Sequence, residues 1–168
     1  MKKMLLFLLL AGATCYGQTE NSFLQPNKNR TEVKLNGLAI AIGAIDLELE
    51  RTLNENSSIG ISFFTKYSDT DGYTYLDYDS GFSGFYRYYL GEKYAQGIFF
   101  EGFGMYHNTR DFRGDLQTNF LLGVGLGYKH VFKNGIILQA NFGIGRNLFD
   151  SGQDEINGKI GISIGYRF

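Results

Sequence analysis

The segment Lys159–Phe168, K-I-G-I-S-I-G-Y-R-F, alternates without a slip. Ile160, Ile162, Ile164, Tyr166 and Phe168 fall on one face of an extended chain. Lys159, Gly161, Ser163, Gly165 and Arg167 fall on the other, because strand side chains alternate with period two. One face is wholly apolar and the other is small or charged. A strand of this kind divides an apolar medium from a polar one.

The same contrast recurs upstream, and eight strands are expected in all. The first covers about Glu32 to Ile40. The second, Ala44 to Leu53, sets Ile45, Leu47 and Leu49 against Asp46, Glu48 and Glu50. The third, Ser57 to Tyr67, sets Ile59, Ile61 and Phe63 against Ser58, Gly60, Ser62 and Lys66. The fourth, Ser80 to Leu90, sets Phe82, Tyr86 and Tyr88 against Ser83, Phe85, Arg87 and Tyr89. The fifth, Gly97 to Tyr106, has Ile98 and Phe100 outward and Glu101 inward. The sixth and seventh, Thr118 to Phe132 and Ile136 to Arg146, oppose apolar residues to Gly, Asn, Gln and Lys129. Each is near the ~9–11 residues that a tilted strand needs to cross a bilayer.

The connections alternate in length. Asn54–Asn56, Gly91–Gln96 and Lys133–Gly135 are short; Ser68–Asp79, His107–Gln117 and Asn147–Asn157 are longer and polar. Periplasmic turns and extracellular loops alternate in this way. The first connection, Ala41-Ile42-Gly43, departs from the pattern, being tight and apolar. An open sheet in lipid leaves edge N–H and C=O groups unpaired, and closure removes the edges. Eight strands enclose a space just wide enough for side chains, so the expected lumen is a packed polar core.

At the other end, Lys2 and Lys3 precede an apolar run, Met4–Ala13, and a small-x-small site at Cys15-Tyr16-Gly17. The run is about half the ~20 residues of a membrane helix, so residues 1–17 read as a cleaved signal peptide. Cys15 is a lipidation candidate, although Gly12-Ala13-Thr14 lacks the usual leucine and the small residue before the cysteine. Residues 18–30, which hold the sole proline, read as a flexible polar leader, and 31–168 as the barrel domain. Cys15 is the one cysteine, so the remaining chain forms no disulfide. The net charge of −1 and the absence of a clustered basic face exclude a nucleic-acid partner. The 23 glycines, 12 tyrosines, 15 phenylalanines and single proline suit long strands in a closed sheet.

The candidate lumen charges are Asp46, Glu48, Glu50, Lys66, Arg87, Glu101, Lys129, Lys159 and Arg167. A hairpin centred near Tyr94 sets Arg87 opposite Glu101 as a cross-strand ion pair. Asp46, Glu48 and Glu50 form an acidic ladder that needs cations, which the basic residues of the other strands are expected to supply, Lys159 and Arg167 among them. The ladder reads as a structural salt-bridge network; no His or Cys completes a metal set, and no cofactor site is expected. His107 sits where the fifth strand meets its loop and reads as a rim residue. His130 falls outward near the periplasmic rim. No spacing ties Ser80 or Ser83 to His107 as a hydrolase would require. Ser68-Asp69-Thr70-Asp71-Gly72 contains D-x-D-G, which reads as a turn rather than a calcium loop. With Tyr73, Tyr75, Asp77, Tyr78 and Asp79 it forms an acidic, tyrosine-rich loop suited to contact with a partner. Outward tyrosines near strand ends fit aromatic girdles. Arg51 and Arg146, also outward, lie near strand ends, where they reach the headgroups.

The terminal apolar face, Ile160, Ile162, Ile164, Tyr166 and Phe168, resembles the C-terminal signal by which outer-membrane barrels are recognised for insertion. Leu47-Glu48-Leu49-Glu50-Arg51 resembles an L-E-Y-E-R stretch, with Leu49 in place of the tyrosine. Tyr86-Arg87-Tyr88-Tyr89-Leu90-Gly91, followed by Gly97, resembles a Y-R-Y-Y-L element. Both are found in a family of small secreted bacterial proteins of unknown function regarded as outer-membrane barrels, and the resemblance runs roughly from Leu35 to Phe168. It implies a fold and a location but no reaction.

The expected fold is an all-β, eight-stranded antiparallel up-and-down transmembrane barrel of OmpA/OmpX-type architecture. The expected location is the outer membrane of a Gram-negative bacterium, and the expected role is structural or surface-interacting rather than enzymatic. Membrane lipids, the barrel assembly machinery and an envelope or extracellular protein are the expected partners. A lipid-modifying enzyme would instead need a nucleophile beside His107. A soluble lipocalin-like binder would need its apolar residues inside.

Overall fold

The computed structural model describes residues 30–67, 78–91, 93–110, 116–148 and 156–168. The expected signal peptide, most of the expected leader, and the D-x-D-G and tyrosine-rich loop over 68–77 lie outside the described residues. The described strands are β1 (Thr31–Asn36), β2 (Ala44–Thr52), β3 (Ser57–Lys66), β4 (Tyr78–Tyr89), β5 (Gly97–Arg110), β6 (Leu116–Val131), β7 (Ile136–Asn147) and β8 (Ile156–Arg167). Each pairs antiparallel with the next, and β1 pairs with β8, so the sheet closes into an up-and-down barrel.

The alternation in sequence becomes the two surfaces of the wall. Leu49, Ile61, Phe82, Tyr86, Phe100, Leu126, Phe142 and Ile162 face outward and are exposed. Glu50, Arg87, Phe99, Lys129 and Gln139 face inward and are buried. This polarity is the reverse of a lipocalin-like arrangement. Short turns gather at one end, between β2 and β3, β4 and β5, and β6 and β7. At the last of these Gly135 has φ +86°, a conformation that side-chain-bearing residues rarely adopt.

Glycine makes room for the aromatic rings inside. A Cβ at Gly127 would lie 2.4 Å from Phe99 Cζ and 2.6 Å from the Ala140 carbonyl oxygen. At Gly123 it would lie 2.5 Å from Phe103 Cζ and 2.6 Å from the Ile144 oxygen. The lumen of an eight-stranded barrel is narrow, and each buried ring takes the place that a facing side chain would occupy.

The first strand differs from its expected course. β1 stops at Asn36, and Gly37–Ala41 form a short helix, α1, rather than strand. Leu38 to Ala41 are good helix formers. The Asn36 side chain caps α1 by accepting from the amides of Leu38 (3.1 Å) and Ala39 (3.4 Å). Gly43, at φ +79°, lets the chain turn away after it. The tight apolar tip expected at Ala41–Gly43 is therefore the end of a helix. The β1–β8 ladder runs only from Glu32↔Arg167 to Asn36↔Ser163, although β8 begins at Ile156. Beyond it, α1 packs between β2 and β8. That gap is two strand spacings, about 10 Å, the diameter of a helix. Asn36 also bridges to the β8 edge, accepting from Ile162 N–H at 3.2 Å.

Other boundaries move by a few residues, mostly at the end opposite the short turns. β5 continues to Arg110, so His107 lies within a strand and inside the barrel, where it is fully buried, rather than at a strand–loop junction.

Candidate functional site

The feature with the greatest chemical density is the ion-pair network that fills the lumen toward the short-turn end. Its residues come from six strands. β1 contributes Glu32 and Lys34, β2 contributes Glu48 and Glu50, and β4 contributes Arg87. β5 supplies Glu101, β6 Lys129, and β8 Lys159 and Arg167.

Arg87 lies at the centre. The register sets it opposite Glu101, and its Nε donates to Glu101 Oε2 at 2.7 Å. Its two terminal nitrogens donate to the two oxygens of Glu48, at 2.7 and 2.9 Å. This planar, two-point geometry is available to guanidinium and not to ammonium. The ring of Phe85 lies 4.0 Å from the guanidinium carbon and that of Phe99 4.8 Å, within cation–π range.

Around it, Lys34 donates to Glu48 and Glu50. Lys129 donates to Glu50 Oε1 at 2.7 Å and Glu32 Oε2 at 2.8 Å. The Tyr89 hydroxyl donates to Glu50 at 2.6 Å. Lys159 closes on Glu101 at 2.9 Å. Arg167 donates through Nε to Glu32 at 2.7 Å, and through its terminal nitrogens to the carbonyl oxygens of Tyr94 (3.0 Å) and Ala95 (2.8 Å). The β4–β5 turn is thereby drawn across the end of the barrel, where Ala95 is fully buried and donates its N–H to the Glu55 carbonyl at 2.7 Å.

Burying a charge is costly unless it is paired and hydrogen-bonded. Here Lys34, Arg87, Lys129, Lys159 and Arg167 are balanced by Glu32, Glu48, Glu50, Glu101 and the nearby Asp46. Such a network links six of the eight strands across the lumen.

Several placements differ from those read in the sequence. The cations on the acidic ladder are Lys34, Arg87 and Lys129. Of the other expected counter-charges, Lys159 pairs with Glu101 and Arg167 with Glu32. Asp46 stands apart from the ion pairs and accepts from Asn36 Nδ2 at 3.0 Å. Lys66 lies at the far end of β3 on the inward side, partly exposed and outside the network. Glu32 and Lys34 are members that the reading missed. Their signal was present in T-E-V-K-L-N, where Val33 and Leu35 alternate with Glu32, Lys34 and Asn36. The expected continuation to Ile40 hid it, because the alternation fails after Asn36.

Toward the other end, Phe85, Phe103, Met105 and Leu121 form an apolar layer. Nearby, His107 Nε2 lies 3.1 Å from Asn147 Oδ1, and the hydroxyls of Ser62 and Ser83, in the same cross-strand row as Met105 and Leu121, lie 2.7 Å apart. His130, facing outward, packs edge-on against Phe132 at 4.6 Å. Ile160, Ile162, Ile164, Tyr166 and Phe168 are all exposed on the outer face of the barrel.

Fold and lumen together define a small closed β-barrel, apolar outside and charged within. The chain is similar to the N-terminal β-barrel domain of Pseudomonas aeruginosa OprF: the TM-score is 0.60 at 15% identity, over 84% of this chain and 98% of that one. At this identity the likeness establishes the fold. No family model and no curated protein matches the chain.

Proposed function

We propose that this protein is a barrel of the Gram-negative outer membrane with a sealed lumen. Its role is structural or surface-interacting, exercised through the connections at the end opposite the short turns. One observation carries the reading: the outward face is predominantly apolar on every strand, with Arg51 and Arg146 lying near strand ends, while most of the inward charges are paired with one another. In water such a surface would expose an apolar belt far larger than soluble monomers carry. In a bilayer it meets a matching solvent, and the closed ladder satisfies the backbone. The likeness to the OprF β-barrel domain supports the closed-barrel fold on which this reading rests.

On this reading residues 1–17 direct export, and the short turns face the periplasm. The barrel assembly machinery engages the outer face of β8, from Ile160 to Phe168. The network makes the lumen a brace rather than a channel, and the connections at the outer end are the surface that a protein partner meets.

Membrane fractionation combined with gel migration of detergent-extracted protein tests this. A membrane-bound protein whose unboiled and boiled forms migrate differently is expected. Recovery as a soluble periplasmic monomer would overturn the reading.

A further inference from the structure

We propose that the outer wall carries a binding groove for one membrane phospholipid, with its phosphate at Arg51 and an acyl chain along β4 and β5. The proposal rests on the membrane reading above and adds a ligand to it.

Two adjacent cross-strand rows form the groove. One runs Leu49, Ile61, Gly84, Gly104, Leu122; the other runs Arg51, Ile59, Tyr86, Gly102, Val124. Where neighbouring outward positions carry large side chains, Gly84, Gly102 and Gly104 carry none. The result is an open, almost wholly apolar groove of about 990 Å³. Packing does not demand the floor at Gly84 and Gly102, whereas a Cβ at Gly104 would lie 3.0 Å from Phe120 Cζ. A Cβ at Gly84 or at Gly102 would meet nothing within 4 Å, whereas at Gly123 and Gly127 it would strike both a ring and the backbone.

Charge at one end selects the occupant. Arg51 and Thr31 both line the groove, and the guanidinium donates to the Thr31 hydroxyl at 3.4 Å. A cation beside a hydroxyl, at the level of the short turns, suits the phosphate of an inner-leaflet phospholipid. Arg51 is three strand spacings from Gly102, about 14 Å. That distance runs across the strands; with strands tilted about 40° it is a climb of about 9 Å, which lies within the roughly 15 Å depth of one leaflet's hydrocarbon. Apolar contact alone gives no preference over bulk lipid, so the phosphate contact and the fit of the chain supply the selectivity. A second copy of the barrel is a poorer occupant, because a two-fold contact would set one hollow against another.

The test is native mass spectrometry of detergent-purified protein titrated with phosphatidylglycerol. Wild type should retain one lipid tightly. Gly84→Leu/Gly102→Leu fills the floor without an internal clash and should lower retention about tenfold. Arg51→Gln should lower it about fivefold, and Arg51→Lys should largely restore it. Equal retention by wild type and the glycine variant, with all proteins heat-modifiable and membrane-extracted, would overturn the groove and leave the barrel reading intact. A lipid-free dimer that the glycine variant converts to monomer would also overturn it, in favour of self-association. Recovery of wild type in the soluble fraction would instead sink the barrel reading.

Discussion

Arg87 and Glu101 face each other directly across the β4–β5 ladder, with Nε 2.7 Å from Oε2, at the point where the lumen's charges converge. The pair ties the hairpin to the acidic ladder of β2, because the same guanidinium also holds Glu48.

Arg87→Met is expected to destabilise the barrel by about 3–5 kcal/mol, since it leaves buried carboxylates without their partner. Glu101→Gln should cost less, and a double-mutant cycle should give a coupling of about 1–3 kcal/mol. The chain has no tryptophan, so urea unfolding in detergent is best followed by the gel shift between folded and unfolded forms. Additive effects would mean that the two residues do not act as a pair.

Gly127→Ala should destabilise by about 1–3 kcal/mol, because its new methyl group meets the Phe99 ring and the Ala140 carbonyl. Gly102→Ala should be close to neutral, having open space before it. The difference between the two urea midpoints checks the contrast between inward and outward glycines. Equal midpoints would remove the packing explanation.

Asn36→Ala should cost about 1–2 kcal/mol. It removes the cap of α1 and the bridge to Ile162 N–H together. Asn36→Ser keeps an accepting oxygen without setting a second carboxylate against Asp46 and should recover part of the loss. Hydrogen exchange should accelerate first at Leu38, Ala39 and Ile162; unchanged exchange there would show that α1 holds its place by packing alone.

Tyr166→Ser/Phe168→Ser should lower the amount of barrel assembled in cells by several-fold while the purified protein still refolds in detergent. Comparing membrane yield with in vitro refolding separates the two effects. Normal assembly by this variant would show that the outer face of β8 is not what the assembly machinery reads.

The pattern from Ala44 to Phe168 was legible because the pleat is local. Each side chain points away from its neighbours' face, so Glu48, Arg87 and Lys129 declare their side whatever they touch. The exception is Asn36, where strand gives way to helix: the apolar run from Leu38 to Ile42 has no period of two, and its capping asparagine and terminal glycine were the unread signals.

What the sequence by itself determined is the division of residues between the two surfaces and the order of the eight strands, the first of them read four residues too long. Apart from the Arg87–Glu101 pair, which the β4–β5 hairpin made legible, only the tertiary structure decided which charges meet. Lys129 reaches Glu32 and Arg167 reaches the β4–β5 turn because the stagger of a closed barrel brings distant strands to one level, a global quantity that no single strand encodes. The same stagger aligns Gly84, Gly102 and Gly104 with Arg51, residues that have nothing in common along the chain.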